Sequence, residues 1–233
     1  MKITAEFVTS AVGAAGVPHD GLPQLALVGR SNVGKSRLIN ALVRQGLART
    51  SAAPGKTRLV NVYRVAHGAR PPFHLVDLPG YGFARGAKQG PTDFERLVGE
   101  YFGAVPAAAL LLVDARHPGL ASDRQAWAWL QSTVEAVAIV ATKVDKLARG
   151  ERIRALRELE SVLDNAVLPV SSVTGEGLDD LWNLIDNFTT PRTTRPPDRS
   201  RPNAPKAMAP HRPPEGTANR KRSNASTWRR SKT

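Results

Sequence analysis

The eight residues Gly29-Arg30-Ser31-Asn32-Val33-Gly34-Lys35-Ser36 set two glycines, a lysine and a hydroxyl in the order G-x-x-x-x-G-K-S. Such a loop works through its backbone. The glycines let it turn tightly enough for successive N–H groups to point at one anion, and a helix beginning at its end adds a positive dipole. The chemistry implied is a cradle for a nucleoside triphosphate. Backbone N–H groups would meet the α- and β-phosphates, Lys35 would reach the β- and γ-phosphates, and the Ser36 hydroxyl would ligate magnesium. An ordinary glycine turn with a solvent-facing lysine could carry the same letters. The flanks argue otherwise: "QLALVG" before it is short and apolar, and "KSRLINALVR" after it carries Leu38, Ile39, Leu42 and Val43 at helical spacing.

Four further stretches have the right types for the rest of a nucleotide site. In Asp77-Leu78-Pro79-Gly80, the aspartate can hold magnesium, directly or through water, and the Gly80 N–H can bond a γ-phosphate and register its loss. In Thr142-Lys143-Val144-Asp145, a carboxylate can accept from both the ring N–H and the exocyclic amine of guanine. Adenine offers an acceptor at that ring position and no such amine, which would leave Asp145 unpaired, so the pattern selects GTP over ATP. Lys143 can lay its stem along the base and brace the phosphate loop. Ser171-Ser172-Val173, in a Ser/Gly-rich loop, can turn backbone N–H groups toward the guanine carbonyl. Pro54-Gly55-Lys56-Thr57 precedes a strand, and Thr57 is placed to give magnesium a second hydroxyl and the γ-phosphate a backbone N–H. A loop of that kind is ordered by triphosphate and released on hydrolysis. The expected magnesium ligands are therefore Ser36, Thr57 and Asp77, with Lys35, Thr57 and Gly80 acting on the transferred phosphoryl group.

The elements that must position these residues alternate in type. Apolar runs predict strands at Leu25–Val28, Leu59–Val65, Phe73–Asp77, Ala109–Asp114, Val137–Thr142 and Val167–Ser171, and amphipathic spacing predicts helices at Lys35–Arg44, Asp93–Phe102, Asp123–Glu135, Arg152–Leu163 and Leu178–Phe188. The expectation is a three-layer α/β fold, a mostly parallel six-stranded sheet with helices on both faces. Ligands of such sheets bind outside the carboxyl ends of the strands, and nearly all of the motifs above fall at such an end.

With 233 residues the chain can hold one domain with a sizeable core. It has no cysteine, which excludes a disulfide framework and a cysteine-ligated metal. "VPAAALLLV" is about half the length of a membrane span and reads as a buried strand. Glu6, Thr9 and Ser10 interrupt the N-terminal apolar stretch, so no signal peptide and no membrane insertion are expected, and the protein is placed in the cytoplasm. The net charge of +13 is uneven: residues 189–233 carry 12 Lys/Arg against 2 Asp/Glu, together with 8 of the 18 prolines. Met208 and Trp228 are the only large apolar side chains there, so this basic tail is expected to be disordered and the folded domain to span residues 1–188.

Taken together, "GRSNVGKS", "PGKT" followed by Asn61, "DLPGYGFA", "VDARHP" with Asp123 following, "TKVDKL" and the serine pair at 171–172 resemble the EngB (YihA/YsxC) family of ribosome-biogenesis GTPases, within the translation-factor-related class of P-loop GTPases. The resemblance runs from about Phe7 to Phe188. It implies a GTP/GDP-binding protein that hydrolyses GTP with Mg2+ and associates with the large ribosomal subunit and its rRNA during assembly. It implies a part in normal cell division and septation through ribosome supply, and no DNA specificity. Separately, the predicted helices leave no obvious apolar face over, so a monomer is expected. In similar GTPases an asparagine at the place of Asn32 helps hold K+ beside the phosphates; an asparagine that only stabilises the loop is the other reading, and both stay open. Arg37 replaces a small hydroxyl residue of the family and is expected to face outward. The "SSV" loop departs from an "SAK"-like form.

Hydrolysis needs an in-line water and charge neutralisation. Where Ras-like proteins carry a water-orienting glutamine, this chain has Tyr81, so slow intrinsic turnover is expected, with help from a partner. Arg85 and Lys88 could add charge or meet that partner. The tail reads as an electrostatic tether to RNA phosphates, with Trp228 able to stack on an unpaired base. Two function classes remain: an assembly factor switched by GTP, and a regulatory switch acting on a protein partner or a membrane surface. Asp145 argues against a third, an ATP-dependent kinase.

Overall fold

The computed structural model describes residues 2–48, 59–81 and 91–190, all within the unit Met1–Arg192, with side chains omitted at 91–95. The loop residues Pro54, Gly55, Lys56 and Thr57, the basic pair Arg85 and Lys88, and the tail beyond Thr190 lie outside the described residues.

Alternation of apolar side chains along the strands decides the layering. In β2 (Gln24–Gly29), Leu25 and Leu27 face one way and Ala26 and Val28 the other. In β5 (Ala107–Asp114), Leu110 and Leu112 oppose Leu111 and Val113. A strand buried on both faces must be covered twice. On one side α1 (Lys35–Val43) and α5 (Leu178–Thr189) supply Leu38, Ile39, Leu42, Leu181, Trp182 and Ile185. On the other, α2 (Pro91–Ala104), α3 (Ala121–Thr133) and α4 (Arg149–Leu163) supply Val98, Tyr101, Trp127, Leu130, Leu159 and Leu163. The three-layer α/β expectation holds.

The sheet has seven strands among the described residues rather than the expected six. The extra one, β1 (Ile3–Ala11), pairs antiparallel with β3 (Val60–His67), which pairs antiparallel with β4 (Phe73–Asp77). The order is β1-β3-β4-β2-β5-β6-β7, and from β4 onward, through β6 (Val137–Thr142) and β7 (Val167–Pro169), every pairing is parallel. An edge strand needs one covered face only, so β1 leaves Glu6, Phe7, Val8 and Ser10 exposed. A register shift between Phe7 and Thr9 also spoils its alternation. The carboxyl ends of β2, β4, β5, β6 and β7 all open on one edge of the parallel part, which is where the described motif loops lie.

Candidate guanine-nucleotide site

The phosphate loop leaves β2 at Gly29 and enters α1 at Lys35. Gly34 supports this turn with φ 114°, a left-handed conformation that a side chain would strain, and Asn32 takes φ 64°, which asparagine tolerates better than most residues. Among the described residues no side chain caps α1, which leaves its first N–H groups to an external acceptor. The Lys35 ammonium folds back over the loop and donates to the Gly29 carbonyl at 3.2 Å. Burial pulls its pKa down, and the charge of Asp77 opposes that pull. Arg37 is exposed, as expected.

Asp77 ends β4 and is buried. Burial pushes its carboxyl up to about 6 despite the nearby Lys35 charge. Among the described residues its Oδ1 has no hydrogen-bond partner, and a buried carboxylate oxygen left bare is costly. A hard divalent cation at this point would satisfy it, which is the test that magnesium must pass here, and oxygen donors of this kind suit that ion.

The Thr142–Asp145 loop is stitched to the phosphate loop. Thr142 donates its hydroxyl to the Val33 carbonyl at 2.7 Å and to the Val113 carbonyl at 3.1 Å. The Lys143 ammonium donates to the Asn32 carbonyl at 2.5 Å. Val144 is core and begins a short 3-10 turn, Val144–Lys146, with Asp145 at its centre. The Ser171 hydroxyl donates to Asp145 Oδ1 at 2.8 Å while accepting from the N–H groups of Val173 (3.2 Å) and Thr174 (3.1 Å). Burial works to raise the Asp145 carboxyl, but the Ser171 bond and the neighbouring Lys146 hold it below its ordinary value. Ser171 is therefore an orienter of the carboxylate through its side chain, a role its place in a Ser/Gly loop did not suggest. The Ser171 N–H already donates to the Glu176 carbonyl at 2.9 Å, so the amide left for a base carbonyl is that of Ser172. Arg152 of α4 clamps Glu176 with two donors and fixes the far side of this loop.

The Asp-x-x-Gly turn closes on the phosphate loop. Ser31 N–H donates to the Tyr81 carbonyl at 3.0 Å and its hydroxyl to the Gly80 carbonyl at 3.4 Å. A β-carbon on Gly80 would fall 2.7 Å from Ser31 N, so only glycine permits this approach. The Tyr81 ring is buried and its hydroxyl donates to Asp123 Oδ1 of α3 at 2.8 Å. Burial, with Asp123 beside it, drives the phenol's pKa far up. Tyr81 thus ties the turn to α3. Tyr81→Phe leaves Asp123, whose Oδ2 has no hydrogen-bond partner among the described residues, without this bond, and is expected to cost about 1–3 kcal/mol in denaturant unfolding; an unchanged unfolding midpoint would mean that the contact is idle. Asp114, in the "VDARHP" stretch, joins the site as well: it takes hydrogen bonds from Arg116 and from Lys143.

A parallel sheet whose strand ends present a phosphate loop, an Asp-x-x-Gly turn and a guanine-type carboxylate defines a P-loop GTPase, and the family described as 50S ribosome-binding GTPase matches residues 24–143. This chain belongs to the EngB family of GTP-binding proteins. It is 43% identical over 195 residues to a probable GTP-binding protein EngB of Chlorobaculum parvum, covering 81% of this chain and all of that one. A probable EngB of Alkaliphilus metalliredigens is 38% identical over 81% of this chain and 92% of the relative. The fold also matches a crystal structure of Aquifex aeolicus Era bound to GDP·AlF4−, with a TM-score of 0.60 at 20% identity, over 72% of this chain and 57% of that one.

Proposed function

We propose that this GTP-binding protein is a nucleotide-switched assembly factor for the large ribosomal subunit, with slow magnesium-dependent GTP hydrolysis. The observation that carries the nucleotide half is the stitching of Lys143 and Thr142 onto consecutive carbonyls of the phosphate loop, which holds base and phosphate sites at a fixed spacing. The ribosomal half is supported by the family match, whose description names 50S binding.

In this account the N–H groups from Gly29 through Ser36 cradle the α- and β-phosphates, with Arg30, Ser31, Asn32, Val33 and Gly34 supplying the loop and Lys35 neutralising the β- and γ-oxygens. Asp145 pairs the guanine edge, Lys143 backs the base, and the loop Ser171-Ser172-Val173 meets its carbonyl. Ser36, Thr57 and Asp77 would hold magnesium, which when bound would supply positive charge against that developing on the transferred phosphoryl group. Gly80, with Leu78 and Pro79 shaping its turn, reads the γ-phosphate, as does the loop Pro54-Gly55-Lys56-Thr57. Asn32 either seats a K+ ion or only shapes the loop, and dependence of turnover on K+ over Na+ separates the two.

Tyr81 faces α3 rather than offering a polar group to water, which favours slow turnover without a partner. The basic tail supplies phosphate contacts to rRNA, sequence-independent and weakened by salt. The protein acts in the cytoplasm as a monomer, and through ribosome supply it serves cell division. Among the described residues no helix is long and apolar enough to cross a membrane. The test is the rate of GTP hydrolysis by the purified chain, alone and with large ribosomal subunits. Slow turnover that subunits accelerate supports the proposal; a rate indifferent to subunits speaks for a switch acting on some other partner.

A further inference from the structure

We propose that Asp114 is a positioning residue for nucleotide binding, with Arg116 acting through it: the carboxylate sets the Lys143 ammonium on the phosphate loop, so the β5–α3 connection governs how tightly both nucleotide forms are held. This rests on the guanine-nucleotide reading of the site above. Asp114 sits at the last position of β5, and its side chain keeps 9% of its accessibility. It accepts from the Arg116 N–H (3.1 Å) and Nε (2.9 Å) on Oδ1, and from Arg116 Nη2 (2.8 Å) and Lys143 Nζ (2.8 Å) on Oδ2. The same ammonium donates to the Asn32 carbonyl at 2.5 Å. Asp114 and the phosphate loop therefore share one lysine head between them.

The arrangement exceeds what burial of a carboxylate requires. Arg116 alone gives a two-pronged, charge-assisted partner from two residues away, which already neutralises Asp114. Turning the chain after β5 would need only a backbone N–H acceptor, and asparagine could supply that. The second cation comes from a different strand end, and its backbone sits at φ 62°, a conformation uncommon outside glycine. Lys143 is thus held in place by its side chain's contacts, at some backbone cost. Its stem passes over the loop at Gly34, where an added β-carbon would stand 3.8 Å from Cε. A lysine stem has four rotatable bonds, and one freed of Asp114 would have to be ordered again each time nucleotide binds. Arg116 is 40% exposed on its side chain and holds the carboxylate plane so that Oδ2 faces Lys143.

The Lys143 head meets a loop carbonyl that is the same whether GDP or GTP is bound. Losing its anchor removes binding common to ground and transition states, which raises KM and leaves kcat unchanged. The experiment compares Asp114→Asn, Arg116→Ala and the double variant, measuring affinity and dissociation rates for GDP and a non-hydrolysable GTP analogue, with KM and kcat for GTP. Asp114→Asn is expected to weaken both nucleotides about tenfold, through faster release, with their ratio and kcat unchanged. Arg116→Ala is expected to weaken both about threefold, and the double variant to match Asp114→Asn to within about twofold, because Arg116 acts only through the carboxylate. Should Asp114→Asn fail to fold, Arg116→Ala beside Arg116→Lys carries the test, since lysine cannot reproduce the two-pronged clamp.

Unchanged affinity in both single variants while Asp145→Asn is impaired overturns the positioning role and leaves the site assignment standing. Losses that add in the double variant overturn the relay through Asp114. A fall in kcat at constant KM overturns the uniform-binding account. Absence of guanine-nucleotide binding by the unaltered chain overturns the reading beneath and this inference with it.

Discussion

Asp145→Asn is expected to weaken GTP and GDP binding by at least about a hundredfold and to turn the site toward xanthine nucleotides. The carboxylate offers two acceptors, and its orientation is fixed by the Ser171 hydroxyl at 2.8 Å. Guanine presents two donors to it. An amide keeps one acceptor and replaces the other by a donor, which then opposes the guanine amine and leaves two donors unpaired in a site shielded from water. Xanthine carries a carbonyl where guanine carries the amine, so the asparagine finds a partner on each position. Adenine gains nothing from the change. Competition among GTP, XTP and ATP for the variant measures this, and the unaltered affinity order would refute the assignment of Asp145. Ser171→Ala should weaken GTP and GDP binding on a smaller scale, about tenfold, without the turn toward xanthine, because the carboxylate stays and only its orientation is released.

Lys35→Ala is expected to lower GTP hydrolysis at saturating nucleotide by about 10²–10³-fold, the range for losing one preorganised stabilising donor. The ammonium is already aimed across the loop, bonded to the Gly29 carbonyl at 3.2 Å, and it is the counter-charge to buried Asp77. Its loss therefore acts twice. The phosphoryl oxygens lose their nearest fixed cation, and Asp77, already pushed up to about 6, is driven further toward the neutral form that holds magnesium poorly. Single-turnover hydrolysis, with a melting curve to confirm folding, reads the effect. A variant within a few-fold of the original rate would remove Lys35 from the site.

Contiguity explains what was readable in the chain. The phosphate loop, the Asp-x-x-Gly turn and the Thr-Lys-x-Asp loop each place their functional groups within eight residues, and each follows a strand buried on both faces, so the apolar run and the motif announce one another. The helices α1 and α5 were legible for the same reason, their apolar stripes being wide. β1 was not, because an exposed edge with a register shift has neither alternation nor a continuous apolar run. The start of α4 came earlier than periodicity suggested, at Arg149 instead of Arg152, because Glu151 reaches back to the Ala148 N–H and caps a turn that carries no apolar stripe.

The connections among motifs were the least visible part. Lys143 and Asp114 lie 29 residues apart, Tyr81 and Asp123 lie 42 apart, and Ser171 and Asp145 lie 26 apart. Nothing local in the chain marks such pairs. What could have pointed to them is polarity out of place: an aspartate closing the apolar run of β5, and another facing the core from the first turn of α3, each needing a partner once buried.

Co-sedimentation of the purified chain with large ribosomal subunits decides whether this protein is a ribosomal assembly factor switched by nucleotide. The assay would use GDP or a non-hydrolysable GTP analogue, with the full chain and with a chain truncated after Thr190. The expected result is binding that depends on the analogue, survives truncation, and is strengthened at low salt by the +10 tail. Binding that ignores the nucleotide and disappears with the tail or at raised salt would contradict it, because charge alone would then be recognised.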